Sequence, residues 1–124
     1  MIAIDTSSMI AYLAGERGRD VDAVDAGLDA RQAVLPPVVL TELLSDPRLE
    51  RSVADLIREL PVLALSDGYW ERTGTLRAKV LARGLRARLA DALIAQSCVD
   101  HRLPLVTRDA DFRHFARHGG LKLI

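Results

Sequence analysis

The chain opens on a short apolar run, Ile2-Ala-Ile4. The run stops at an acid, Asp5, and passes at once into the hydroxyls Thr6-Ser-Ser8 and the helical spacing of Met9, Ile10, Tyr12 and Leu13. No turn residue interrupts the run, so it reads as a buried strand. Strand, carboxylate, hydroxyls and helix in that order place Asp5 at the C-terminal end of a core strand, where open α/β sheets bind their ligands. An acid there often does no more than cap the helix. Asp5 gains weight because acids recur in comparable settings further along.

Taken in order, the pattern predicts a helix from Ser8 to about Gly15 and an amphipathic helix over Asp20–Arg31. Val21, Val24 and Leu28 of the second helix should face inward, and Asp22, Asp25 and Asp29 outward. Ala33-Val34-Leu35 is a second strand, and Pro36-Pro37 starts a helix over Val38–Ser45 that carries Glu42. A helix over Arg48–Leu60 should bury Leu49, Val53, Leu56, Ile57 and Leu60, with Val62–Leu65 as a third strand. Ser66 or Asp67 would cap a long helix to about Arg83, turning Tyr69, Trp70, Thr73, Leu76 and Val80 to the core. Leu89–Asp100, apolar nearly all round, reads as a buried helix with Asp91 at its start. Leu103–Thr107 is a fourth strand, a short helix follows Arg108-Asp-Ala-Asp-Phe112, and Leu121–Ile124 closes the chain as a fifth strand. Strands that alternate with helices imply parallel pairing and a three-layer α/β/α sandwich. At 124 residues, with no linker or repeat, positions 1–124 should form one domain.

Cys98, the only cysteine, lies in the apolar helix and reads as an inert core thiol. With no stretch long and apolar enough to span a bilayer, the chain is expected to be soluble and cytoplasmic. The net charge is zero but unevenly spread. Up to Glu71 six Arg face thirteen acids, and from Arg72 onward eleven bases face four acids. A basic second half suits an anionic partner, although two solvated faces of opposite sign would give the same count.

Parallel strands share one C-terminal edge, which gathers Asp5, Glu42 and Asp109. A helix running antiparallel to the fourth strand would bring Asp91 there too. Asp5, Asp91 and Asp109 could each be an N-cap. Glu42 is harder to explain that way, since a capping box would want Ser or Thr at position 39, which is Val. Flanked by Leu40, Leu43 and Leu44, it is expected to need a partner for a buried charge. Carboxylates gathered without a counter-charge repel, so basic side chains or a metal must neutralise them. The donors are all oxygens, with His101, His114 and His118 scattered, which favours Mg²⁺ or Mn²⁺ over zinc. Such ions beside a basic surface fit phosphodiester chemistry.

The motifs Asp5-Thr-Ser, Pro37-Val-Val-Leu-Thr-Glu42-Leu-Leu, Leu89-Ala-Asp91-Ala-Leu-Ile-Ala and Leu105-Val-Thr107-Arg-Asp109-Ala-Asp111-Phe resemble, in order and over the whole chain, those of the PIN-domain ribonucleases. The short form resembles VapC toxins of toxin–antitoxin pairs. The resemblance implies strand order 3-2-1-4-5, Mg²⁺- or Mn²⁺-dependent RNA cleavage, a homodimer, and inhibition by a cognate antitoxin. It makes Asp5, Asp91 and Asp109 metal ligands. Glu42 would bind the metal or orient water, and Asp111 would be either a further ligand or a helix cap. Thr107, and after it Thr6 or Ser7, would hold carboxylates or a phosphate oxygen.

Arg86, Arg88 and Arg108 are then expected to contact the RNA backbone. Tyr69 and Trp70 have the chemistry to stack bases but the spacing of core residues. The acidic helix from Asp20 to Asp29, with Asp22, Asp25 and Asp29 on its outer face, is a candidate surface for a basic antitoxin segment. A receiver domain or an Asp-x-Asp phosphatase fits poorly, because Thr6 and Ser7 follow Asp5 where a second acid would be wanted. The closer alternatives are a nuclease of this fold outside a toxin pair, and a non-catalytic binding module.

Overall fold

The computed structural model describes residues 1–124. Three strands form a parallel sheet: β1 (Ile2–Ile4), β2 (Ala33–Val34) and β3 (Leu105–Val106), in the order β2-β1-β3. Ile2 pairs with Ala33 and Ala3 with Val34 on one side of β1, while Ala3 pairs with Leu105 and Ile4 with Val106 on the other. Single parallel bridges, Leu35 to Val62 and Leu105 to Leu123, extend the sheet at both edges. The five-position order 3-2-1-4-5 is therefore present, with its outer positions reduced to one bridge each. Val62 and Ile124 lie open to solvent, so little apolar burial supports longer pairing there.

Seven helices flank the sheet: α1 (Thr6–Leu13), α2 (Arg19–Asp29), α3 (Pro37–Leu44), α4 (Arg51–Glu59), α5 (Tyr69–Leu81), α6 (Leu89–His101) and α7 (Phe112–Gly119). Proline stands at the first position of α3, where its missing N–H costs nothing. α1 packs on α2 and α3, α5 packs on α6 and α7, and α3 meets α6. The core is a continuous cluster in which Ile4, Leu35, Leu105, Phe112 and Phe115 are fully buried. Each such side chain contributes roughly 1.5–3 kcal/mol relative to exposure. α2 approaches β1 closely at Gly27, where a Cβ would fall 2.7 Å from Ile2 Cδ1.

Several sequence expectations change. Trp70 is 64% exposed and Leu56 62% exposed, whereas their neighbours Tyr69 and Ile57 are buried. Adjacent helical residues lie about 100° apart, so one of each pair turns outward. Neither Ser66 nor Asp67 caps α5 with its side chain. Gly68 holds that position in a left-handed conformation, φ 81°, and Arg72 reaches back to Ser66 Oγ and the Asp67 carbonyl.

Candidate metal centre

The register of the sheet builds the first half of the site. Ile4 pairs with Val106, so the next residues, Asp5 and Thr107, leave the sheet side by side at its C-terminal edge. Asp5 opens α1 without capping it. Its buried carboxylate instead accepts at Oδ2 from the hydroxyls of Ser7 and Thr107, each at 2.7 Å. Thr107 Oγ1 in turn accepts the Asp109 backbone N–H at 3.0 Å, and Asp109 Oδ1 accepts the Asp111 N–H at 2.9 Å. The turn from β3 into α7 is thus folded around its own acids.

α6 supplies the other half. Its first turn presents Asp91, and one carboxylate oxygen each from Asp91, Asp109 and Asp111 lies within 4.8 Å of the others. Asp91 Oδ2 is buried and makes no hydrogen bond. Burial, followed by the charges of Asp109 and Asp5, pushes the Asp91 carboxyl up to about 6, partly countered by Arg88. An orphaned buried oxygen among repelling carboxylates is the donor set a hard divalent cation satisfies. The residues present fit such an ion.

The structure places the remaining expected residues around this cluster. Asp5 lies close enough to raise Asp91, but outside the tight group of three. Asp111 joins the group and caps α7 with no side-chain bond. Glu42 lies outside the group, and it is exposed rather than buried, because Val39 and Leu43 take the inner face of α3. It accepts a 2.7 Å hydrogen bond from Thr6 Oγ1, which answers its need for a partner. Arg86 approaches Asp111 Oδ2 at 3.8 Å, and Arg88 stands at the start of α6. Arg108 is bound to Asp20 and Glu16 instead of being free beside the acids.

A family model for the PIN domain matches residues 2–118. The chain belongs to the PIN domain family. No curated protein matches it significantly. Among solved structures, VapBC2 from Rickettsia felis bound to a DNA fragment from its promoter is similar, with TM-score 0.76, 23% identity, and coverage of 100% of this chain and 98% of the other. VapBC-1 from nontypeable Haemophilus influenzae gives TM-score 0.74 at 19% identity, covering 100% and 97%. DNA-bound VapBC from Salmonella typhimurium gives 0.73 at 19%, covering 100% and 98%.

Two features of this PIN domain escaped the sequence pattern. Asp20, expected as the start of the acidic helix and not as part of the site, accepts from Ser8 Oγ at 2.8 Å and from Arg108 at 2.8 and 3.0 Å. The one available signal was an acid in the first turn of a helix, which dipole pairing explains equally well. The second is a groove of about 580 Å³ that shares no lining residue with the acidic cluster, lined by Met9, Tyr12, Leu13, Leu28, Leu56 and Leu60 among others. No helix is long and apolar enough to cross a membrane.

Proposed function

We propose that this PIN domain is a divalent-metal-dependent endoribonuclease and the toxin of a toxin–antitoxin pair. The observation that carries the reading is Asp91, whose carboxylate lies within reach of Asp109 and Asp111 and whose Oδ2 is buried and unpaired. Those three carboxylates would hold Mg²⁺ or Mn²⁺, with Asp5 beside them. When bound, the ion would supply an activated water and charge stabilisation on the scissile phosphate. The chain's own residues do the rest. Ser7 and Thr107 keep Asp5 oriented by donating to one of its oxygens. Glu42, fixed by Thr6 at the rim, orients water or the ribose side of the substrate. Arg86 and Arg88, both exposed, supply positive charge for flanking phosphates. Arg108 is left out of that role because its donors are already engaged.

The solved structures this chain resembles include VapBC proteins, one of them, VapBC-5 from Mycobacterium tuberculosis, a member of the VapBC family of toxin–antitoxin systems, and a cognate antitoxin is the corresponding partner here. The apolar groove, with Leu13 and Leu56 exposed, adjoins α2, whose Asp22, Asp25 and Asp29 face solvent. An antitoxin segment combining apolar and basic residues suits that surface, and homodimerisation accompanies the toxin reading.

The test is 5′-end mapping of total RNA incubated with the protein and Mg²⁺ or Mn²⁺, beside Asp91→Asn and a chelator control. New ends at one or a few sites, missing from both controls, are expected. No new ends from a folded, metal-loaded protein would turn the reading towards a binding module.

A further inference from the structure

The segment from Thr107 to Asp111 carries two of the three clustered carboxylates, yet it has no regular structure. Most of its hydrogen bonds are internal or run to the start of α1. Thr107 reaches Asp5, Asp109 N–H reaches Thr107, and the Arg108 N–H lies 3.3 Å from Ser7 Oγ. The Arg108 side chain is the exception, because it leaves the site and crosses to the first turn of α2 and the loop ahead of it. There Nε and Nη2 donate to the two oxygens of Asp20 at 2.8 and 3.0 Å. Nη1 donates to Glu16 Oε2 at 3.0 Å, and Nη2 also meets the Arg17 carbonyl at 3.3 Å. A two-pronged guanidinium–carboxylate pair of this kind fixes direction as well as distance.

Asp20 is the hub. Its Oδ2 also accepts from Ser8 Oγ on α1 at 2.8 Å, so one carboxylate grips both segments that leave the sheet edge, the one after Asp5 and the one before Asp109. Its side chain is only 14% exposed. Gly18 leaves the space the clamp needs, since a Cβ there would fall 2.6 Å from Asp20 Oδ1 and 3.1 Å from Arg108 Nη2.

We infer that Asp20 is a positioning residue for the metal centre. Through Ser8 and Arg108 it sets the spacing between Asp5 and the Thr107–Asp109 segment, and it draws the Arg108 guanidinium away from the acids that take the ion. This rests on the nuclease reading and extends it to a residue outside the acidic cluster. Loss of Asp20 leaves every ligand in place but loosens the segment that carries Asp109.

The experiment measures Mn²⁺ affinity by calorimetry and RNA cleavage kinetics on the wild type, Asp20→Asn, Asp20→Glu, Arg108→Gln and the Asp20→Asn/Arg108→Gln double variant. Thermal melts without metal are run alongside. Asp20→Asn is expected to weaken Mn²⁺ binding and lower kcat by about 10-fold or more, the range seen when a ligand's supporting partner is removed, with little change in KM for RNA. Asp20→Glu, which keeps the charge, recovers most of both. The double variant loses no more than either single one, as for two halves of one contact. Wild-type Mn²⁺ affinity in Asp20→Asn, or losses that multiply in the double variant, would overturn the inference while leaving the nuclease reading intact. So would an Asp20→Glu that regains melting temperature but not metal affinity. A wild type that binds no Mn²⁺ would overturn both.

Discussion

Thr107 Oγ1 donates to Asp5 Oδ2 at 2.7 Å, joining residues 102 positions apart in the chain. The contact follows from the parallel register of β1 and β3, which delivers both side chains to the same edge of the sheet. It lets Asp5 stay buried among the strand ends with Oδ2 satisfied by two hydroxyls.

Thr107→Val keeps the shape at this position and removes the hydroxyl. Asp5 loses one donor, and the Asp109 N–H loses its acceptor. Stranding buried polar groups costs about 1–3 kcal/mol, and cleavage should fall by about 10- to 100-fold because two carboxylates lose their orientation. Urea unfolding and a cleavage assay read the two effects. Thr107→Ser, which restores the donor, should recover most of the activity.

The shared edge of Asp5 and the residues after β3 was legible in the sequence because a strand ended by a polar residue fixes where that residue emerges, whereas a carboxylate-holding Thr107 came only from the family resemblance. Asp91 was legible for a related reason, since a helix antiparallel to β3 must begin at the same edge. Glu42 was misjudged because its leucine neighbours were taken as surroundings. On a helix of this length they mark a face, and Glu42 sits on the other one. Trp70 and Leu56 failed the same way beside Tyr69 and Ile57. The Asp20–Arg108 pairing had no local signature, since an acid in the first turn of a helix does not name its partner. It joins a helix start to a loop 88 residues away, and only the folded chain brings them together.

The acidic face of α2 should matter to the antitoxin and not to catalysis. Asp22, Asp25 and Asp29 are all exposed, and none belongs to the acidic cluster. Replacing all three with Asn should weaken the toxin–antitoxin complex by about 10-fold at low salt, with the difference shrinking as salt rises. Leu56→Asp, within the groove, should weaken it at every salt concentration. RNA cleavage by either free variant should match the wild type.

Arg86 and Arg88 should read out in the salt dependence of RNA binding. Replacing both with Gln removes two phosphate contacts, and the slope of log affinity against log salt should become shallower by about 1.4 for a single strand. Filter binding at several salt concentrations measures it, on an Asp91→Asn background that prevents cleavage. Arg108→Gln should leave that slope unchanged, since its guanidinium is held by Asp20 and Glu16.

Asp91 sets the pH behaviour of the metal-free protein. Its carboxyl is raised from 3.8 to about 6, first by burial and then by Asp109 and Asp5, so the folded chain binds this proton more tightly than the unfolded chain does. Ionisation therefore counts against folding. The destabilisation grows as pH rises from about 4 and is complete above about 6. A shift of about two units is worth up to about 3 kcal/mol, and partial exposure reduces that to about 1–2. Asp91→Asn should accordingly melt at a higher temperature than the wild type at pH 7.5, and at nearly the same temperature at pH 4. Mn²⁺ should raise the wild-type melting temperature at pH 7.5, progressively less below pH 6 as protons compete for the carboxylate, and leave Asp91→Asn nearly unmoved. An Asp91→Asn that melts lower than the metal-free wild type at pH 7.5 would show that this carboxylate is already neutralised within the fold, and would count against its role as a ligand.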